Sequence, residues 1–123
     1  MTKLKKFTEV ELEIMRVIWE LERATVRQVY EVLLERKQIA YTTVMTMMNI
    51  LEEKGHLRKQ KQGRAFLYEP VKAKNQAIAN LVDDFVDRVL DGSAAPLVLN
   101  LIRDKKLSDE DLEEISRMIE KTE

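Results

Sequence analysis

Thr42, Met45, Thr46 and Asn49 recur at i, i+3, i+4 and i+7 and so share one face of a helix. In a chain in which 35% of residues are charged, the first three turns of that face carry no charge. Hydroxyls, methyls and a carboxamide are too polar for a core and oddly neutral for open solvent. They suit the floor of a DNA groove, where threonine meets thymine methyls and base edges and asparagine can pair with adenine. A protein-contact face or a plainly solvated one is the alternative. A few residues on, Lys54, Arg58, Lys59, Lys61 and Arg64 lie in a run free of acid, which points to one polyanion-binding surface, with a solvated loop as its alternative.

Other chemistry is poorly supplied. The chain has no Cys, and His56 is its only histidine, so thiolate metal sites, Fe–S clusters, disulfides and histidine clusters are excluded. Asp83, Asp84 and Asp87 lie close on one helix, but without a histidine or metal motif beside them they read as a solvated face. No Gly-rich phosphate loop or Ser/His/Asp set is present. The expectation is a protein that is not an enzyme and takes no cofactor and no metal.

The elements that must hold these residues can be read from pattern. The 123 residues include only 3 Gly and 2 Pro, the mark of a mainly α chain. Thr8-Glu9-Val10-Glu11 is a capping box opening a helix to about Glu22. Val10, Ile14, Val17, Ile18 and Leu21 lie on one side of it, with Leu12, Met15 and Trp19 nearly opposite. Thr25 caps a second helix to about Lys37, in which Val26, Val29, Tyr30 and Leu33 repeat. A third runs from near Ala40 to Lys54-Gly55, with Val44, Met47, Met48 and Leu51 inward. The period then shifts to that of strands: His56 to Lys61, a turn at Gln62-Gly63, and Arg64 to Pro70, with Phe66 and Tyr68 packing on the helices. Three helices followed by a basic hairpin is the order of a winged helix-turn-helix, whose third helix enters the major groove while the hairpin touches phosphate.

Beyond Pro70 a long helix is expected from Lys72 to Asp91, with Ile78, Leu81, Val82, Phe85 and Val89 on one face. A short helix after Ser93 holds Leu97, Val98, Leu99, Leu101 and Ile102, and Ser108 caps a last one with Leu112, Ile115, Met118 and Ile119. These helices form too small a core to stand alone. The expected organisation is therefore a DNA-binding domain over 1–70 and a helical dimerisation domain over 71–123 that folds against a copy of itself. Charge divides likewise: Met1 to Pro70 holds 13 basic and 10 acidic residues, Val71 to Glu123 8 and 12. The longest uncharged stretch, Gln38 to Leu51, contains Thr and Asn and is no spanning helix. The basic start, Met1 to Lys6, runs into Glu9, Glu11 and Glu13 without an apolar core. The cytoplasm is the expected compartment, with no direct membrane contact.

Several separated motifs carry a family likeness. Leu12-Glu13-Ile14-Met15-Arg16-Val17-Ile18-Trp19, Tyr41-Thr42-Thr43-Val44-Met45-Thr46, Leu51-Glu52-Glu53-Lys54-Gly55, Gly63-Arg64 before Tyr68, Leu97-Val98-Leu99-Asn100 and Leu107-Ser108 together resemble the penicillinase repressor family over nearly the whole chain. The resemblance implies a homodimeric bacterial repressor on a palindromic double-stranded operator. In the relatives that control penicillinase, a β-lactam signal leads to proteolysis within the dimerisation domain. It implies that Thr42, Thr43 and Thr46 contact DNA, with Arg64 on the wing. Three departures stand out. Asn49 replaces the arginine of many members, the cysteine cluster of copper-responsive members is missing, and Asn100 is followed by Leu101 where the staphylococcal type has Phe. Proteolysis at Asn100-Leu101 by a regulatory protease is therefore an expectation from the family alone. Two other readings stay open at this point: a repressor released by a small molecule, and a winged helix that serves as a protein-binding module.

Overall fold

The computed structural model describes residues 7–122; the basic start from Met1 to Lys6 lies outside them. Among the described residues the order is α1 (Glu9–Leu21), α2 (Val26–Leu34), α3 (Tyr41–Glu53), β1 (Leu57–Gln62), β2 (Ala65–Pro70), α4 (Lys74–Val89), α5 (Ala95–Arg103) and α6 (Asp109–Thr122). The chain divides into two compact units, Met1–Leu81 and Val82–Glu123. No helix of the described residues is long and apolar enough to cross a membrane.

In the first unit α1, α2 and α3 enclose a core in which Ile14, Ile18, Val29, Val44, Met48 and Leu51 are fully buried. Helix α1 is buried on two sides, since Met15 lies inside along with Ile14, Val17 and Ile18. Leu21, expected on its inner face, is exposed, because the helix ends there and Glu22 turns away at φ 73°. The expected capping box forms at Thr8, whose hydroxyl accepts from the Glu11 N–H, and Thr25 caps α2 as expected and closes a box with Gln28 as well, its hydroxyl accepting from the Gln28 N–H. Helix α3 ends in a Schellman motif, with the His56 N–H donating to the Leu51 carbonyl and the Gly55 N–H to that of Glu52. Gly55 sits at φ +87°, a conformation that side chains strain.

β1 and β2 form a two-stranded antiparallel sheet in register Leu57↔Pro70 to Gln62↔Ala65. The turn falls one residue later than expected, at Gly63-Arg64. Gly63 takes φ +64° at the first loop position, where a type II′ hairpin turn places glycine. Arg64 thereby moves from the strand to the wing tip. Tyr68 packs into the core as expected, whereas Phe66, paired with Lys61 next to the tip, stays 44% exposed. The base of the wing is pinned by Ala24 in the α1–α2 connection, which exchanges both backbone hydrogen bonds with Tyr68 at 2.8 and 2.9 Å.

The expected boundary at Pro70/Val71 falls short of the division at Leu81. The chain after β2 remains part of the first unit, with Ala77 buried and the Trp19 indole N–H donating to the Lys72 carbonyl at 3.2 Å. In the second unit Leu97 and Leu101 are half-buried, but Phe85, Val98, Leu99, Ile102, Leu112, Ile115 and Ile119 all remain exposed. Helix α6 opens on a box of its own, Ser108 and Asp111 exchanging hydrogen bonds at 3.0 Å. The Ser108 N–H, and with it the Ser108 hydroxyl, hold the Asp111 carboxyl below its ordinary value.

Candidate nucleic-acid interface

The face proposed from spacing is present on α3. Val44, Met48 and Leu51 turn into the core, and the helical period then leaves Thr42, Thr43, Met45 and Thr46 exposed. The helix begins at Ala40 with no side-chain cap, unlike α1 and α2. Its first N–H groups, the positive end of the helix dipole, are therefore left for an anion or solvent. Tyr41, 39% exposed, is held edge-on against Tyr30 at 5.3 Å between ring centroids.

Beside this face a groove of about 540 Å³ separates α3 and the start of α2 from the wing. Val26, Tyr41, Met45, Phe66 and Tyr68 contribute its apolar walls, and Arg27, Lys59 and Arg64 its cations. Lys59 is the organised one. Its ammonium lies 4.8 Å from the centroid of Phe66 and 5.8 Å from that of Tyr68, within cation–π range, and it donates to Asn49 Oδ1 at 3.2 Å.

The basic run does not act as one patch. The Lys54 ammonium contacts both carboxylate oxygens of the buried Glu11 at 2.8 Å, so it ties α3 to the start of α1. Burial raises the Glu11 carboxyl. Lys54 and the Thr8 N–H outweigh that effect and hold it below the usual glutamate value. Arg58 donates to Glu69 at 2.8 Å, directly across the sheet. Lys59, Lys61 and Arg64 are left on the wing with no acidic partner among the described residues. The run of five is thus an effective cluster of three, and Arg58 is partly neutralised.

Asn49 also departs from expectation. It is half-buried, and besides Lys59 its Oδ1 accepts from the Tyr68 hydroxyl at 2.8 Å. Burial pushes the Tyr68 phenol above its ordinary value, with Glu52 and Tyr41 adding to the effect, so it stays a neutral donor. Neither this link nor the Glu11–Lys54 pair was legible from spacing: the partners lie on different elements and only the tertiary fold joins them. His56 stacks on Phe7 at 4.2 Å between ring centroids, and no group of acids and histidine among the described residues could hold a metal.

Comparison with known proteins gives one answer. The family model described as Penicillinase repressor matches residues 7–121. The chain is 30% identical over 120 residues to the penicillinase repressor of Bacillus licheniformis, covering 98% of this chain and 94% of that one. It is 34% identical over 100 residues to the transcriptional regulator BlaI of Mycobacterium tuberculosis (80% and 72%). The solution structure of monomeric Bacillus licheniformis BlaI in complex with the blaP half-operator is 32% identical, with a TM-score of 0.52, over 61% of this chain and 92% of that one. The chain therefore belongs to the penicillinase repressor family: it is a winged-helix transcriptional repressor and not an enzyme.

Proposed function

We propose that two copies of this chain bind a palindromic operator in double-stranded DNA, in the cytoplasm, and repress the genes beside it. The observation that carries this reading is the uncharged, exposed face of α3 next to a wing that bears three cations, Lys59, Lys61 and Arg64, without an acidic partner among the described residues. Thr42, Thr43, Met45 and Thr46 then meet base edges or phosphates in the major groove, and Lys59, Lys61 and Arg64 meet phosphates. A relative bound to a half-operator supports the same use of the fold.

Dimerisation rests on the second unit. Phe85, Leu112, Ile115 and Ile119 are apolar and exposed in one chain, an apolar area that soluble monomers rarely leave open. Val82, Val89, Leu97 and Leu101 of the same unit extend this apolar set, and Ile78 and Leu81 lie on the face of α4 that carries Phe85. Control of β-lactam-response genes is supported by the penicillinase repressor among the relatives. Release by proteolysis at Asn100-Leu101 is supported by the match to the penicillinase repressor family over residues 7–121, which include this junction.

Selection of binding sites from a random duplex library tests base reading. Wild type should enrich a two-fold symmetric motif, and Thr46→Ala should alter the preferred base at one position of each half-site by about 1–3 kcal/mol. An identical motif from the two proteins would take Thr46 out of sequence reading.

A further inference from the structure

We infer that Asn49 is a positioning residue that locks the wing to α3 and aims Lys59, and that it does not read a base. The inference rests on the proposed use of α3 and the wing for DNA. Pairing with adenine requires a free carboxamide oxygen to accept from the base while the amide group donates. A carboxamide oxygen has two acceptor sites, and here the Tyr68 hydroxyl at 2.8 Å and the Lys59 ammonium at 3.2 Å occupy both. Reading adenine would cost a buried phenol its acceptor and release Lys59 from its place.

The same contacts have a use. Tyr68 is 2% exposed and its backbone is clamped to Ala24, so its hydroxyl is a fixed point at the base of the wing. Asn49 joins that point to the third turn of α3. Lys59, otherwise a flexible chain, is confined by Asn49 on one side and by the Phe66 and Tyr68 rings on the other. Its ammonium faces the groove between α3 and the wing, where a phosphate of a strand held by both would pass. Ordering this cation beforehand lowers the entropy lost on binding. An arginine at position 49 would bring its own cation to this place and could not accept from Tyr68 or Lys59. The asparagine instead uses a cation borrowed from the wing.

The test uses full-length Asn49→Ala, Tyr68→Phe, Lys59→Ala and the pairwise doubles, with the folded state of each checked by thermal unfolding. Asn49→Ala should weaken binding to operator and unrelated duplex by the same factor, on the order of tenfold. It should make the salt slope shallower by up to about one unit and leave the motif selected from a random library unchanged. In the Lys59→Ala background it should have no further effect on the slope, and its effect with Tyr68→Phe should be less than multiplicative. A changed motif with an unchanged slope, or full multiplicativity with both partners, overturns the inference. If the wild-type chain shows no salt-dependent duplex binding, the DNA reading itself fails, and the Asn49–Tyr68 coupling is still read from the unfolding midpoints of the cycle.

Discussion

Glu11 is the residue on which α3 depends without its touching the outer face of that helix. It is 1% exposed, closes the cap of α1 and receives Lys54 from the end of α3. Glu11→Ala should therefore lower stability at neutral pH by about 2–4 kcal/mol, measured by denaturant unfolding. The Glu11 carboxyl is depressed in the folded state. Its contribution is therefore complete above the unfolded glutamate value, 4.5, and is lost as pH falls through the folded one. The gap between wild type and variant should narrow in acid, and a gap independent of pH would contradict this account. The cap was legible because its two residues are three apart. Lys54 was read as part of a phosphate patch because its acid lies 43 residues earlier, a separation at which spacing carries no information. The contacts of Asn49 were illegible for the same reason, its partners being 10 and 19 residues away on the wing.

At the scale of elements the three helices were legible, since caps and the 3.6-residue period are local signals. The wing was legible as a hairpin but not in its details. The turn slipped by one residue because Gln62-Gly63 and Gly63-Arg64 both suit a two-residue loop, and Phe66 was placed inside because alternation gives its side of the sheet but not how far the helices reach. The corrected wing ranks its cations. Lys61→Ala and Arg64→Ala should each make the salt slope of duplex binding shallower by up to about one unit. Arg58→Ala should change it little, because Glu69 already holds that charge. Glu69→Ala should steepen it by releasing Arg58. Titrations at several salt concentrations separate these cases, and equal effects at all three basic positions would mean that the Arg58–Glu69 pair opens on DNA.

For the whole molecule, composition and the apolar faces after Pro70 pointed to a second unit that is incomplete alone, and in that unit Phe85, Leu112, Ile115 and Ile119 are exposed. The place of the division was not legible, because it falls inside α4, which is one unbroken helix from Lys74 to Val89. In the proposed assembly α3 and the wing grip one half-site while the second unit joins two such grips. The most direct measurement compares the affinity of the full chain for a duplex with two half-sites and for one with a single half-site. The half-site centres are set a whole number of helical turns apart, at low protein concentration. Linking two sites raises affinity by about 10²–10⁴, so wild type should favour the double site by that order. Phe85→Asp, which sets a charge in the apolar contact, should bring the two affinities together, and so should a cut at an unrelated protease site placed at Asn100-Leu101. Equal affinity of the wild-type chain for the two duplexes would contradict the account.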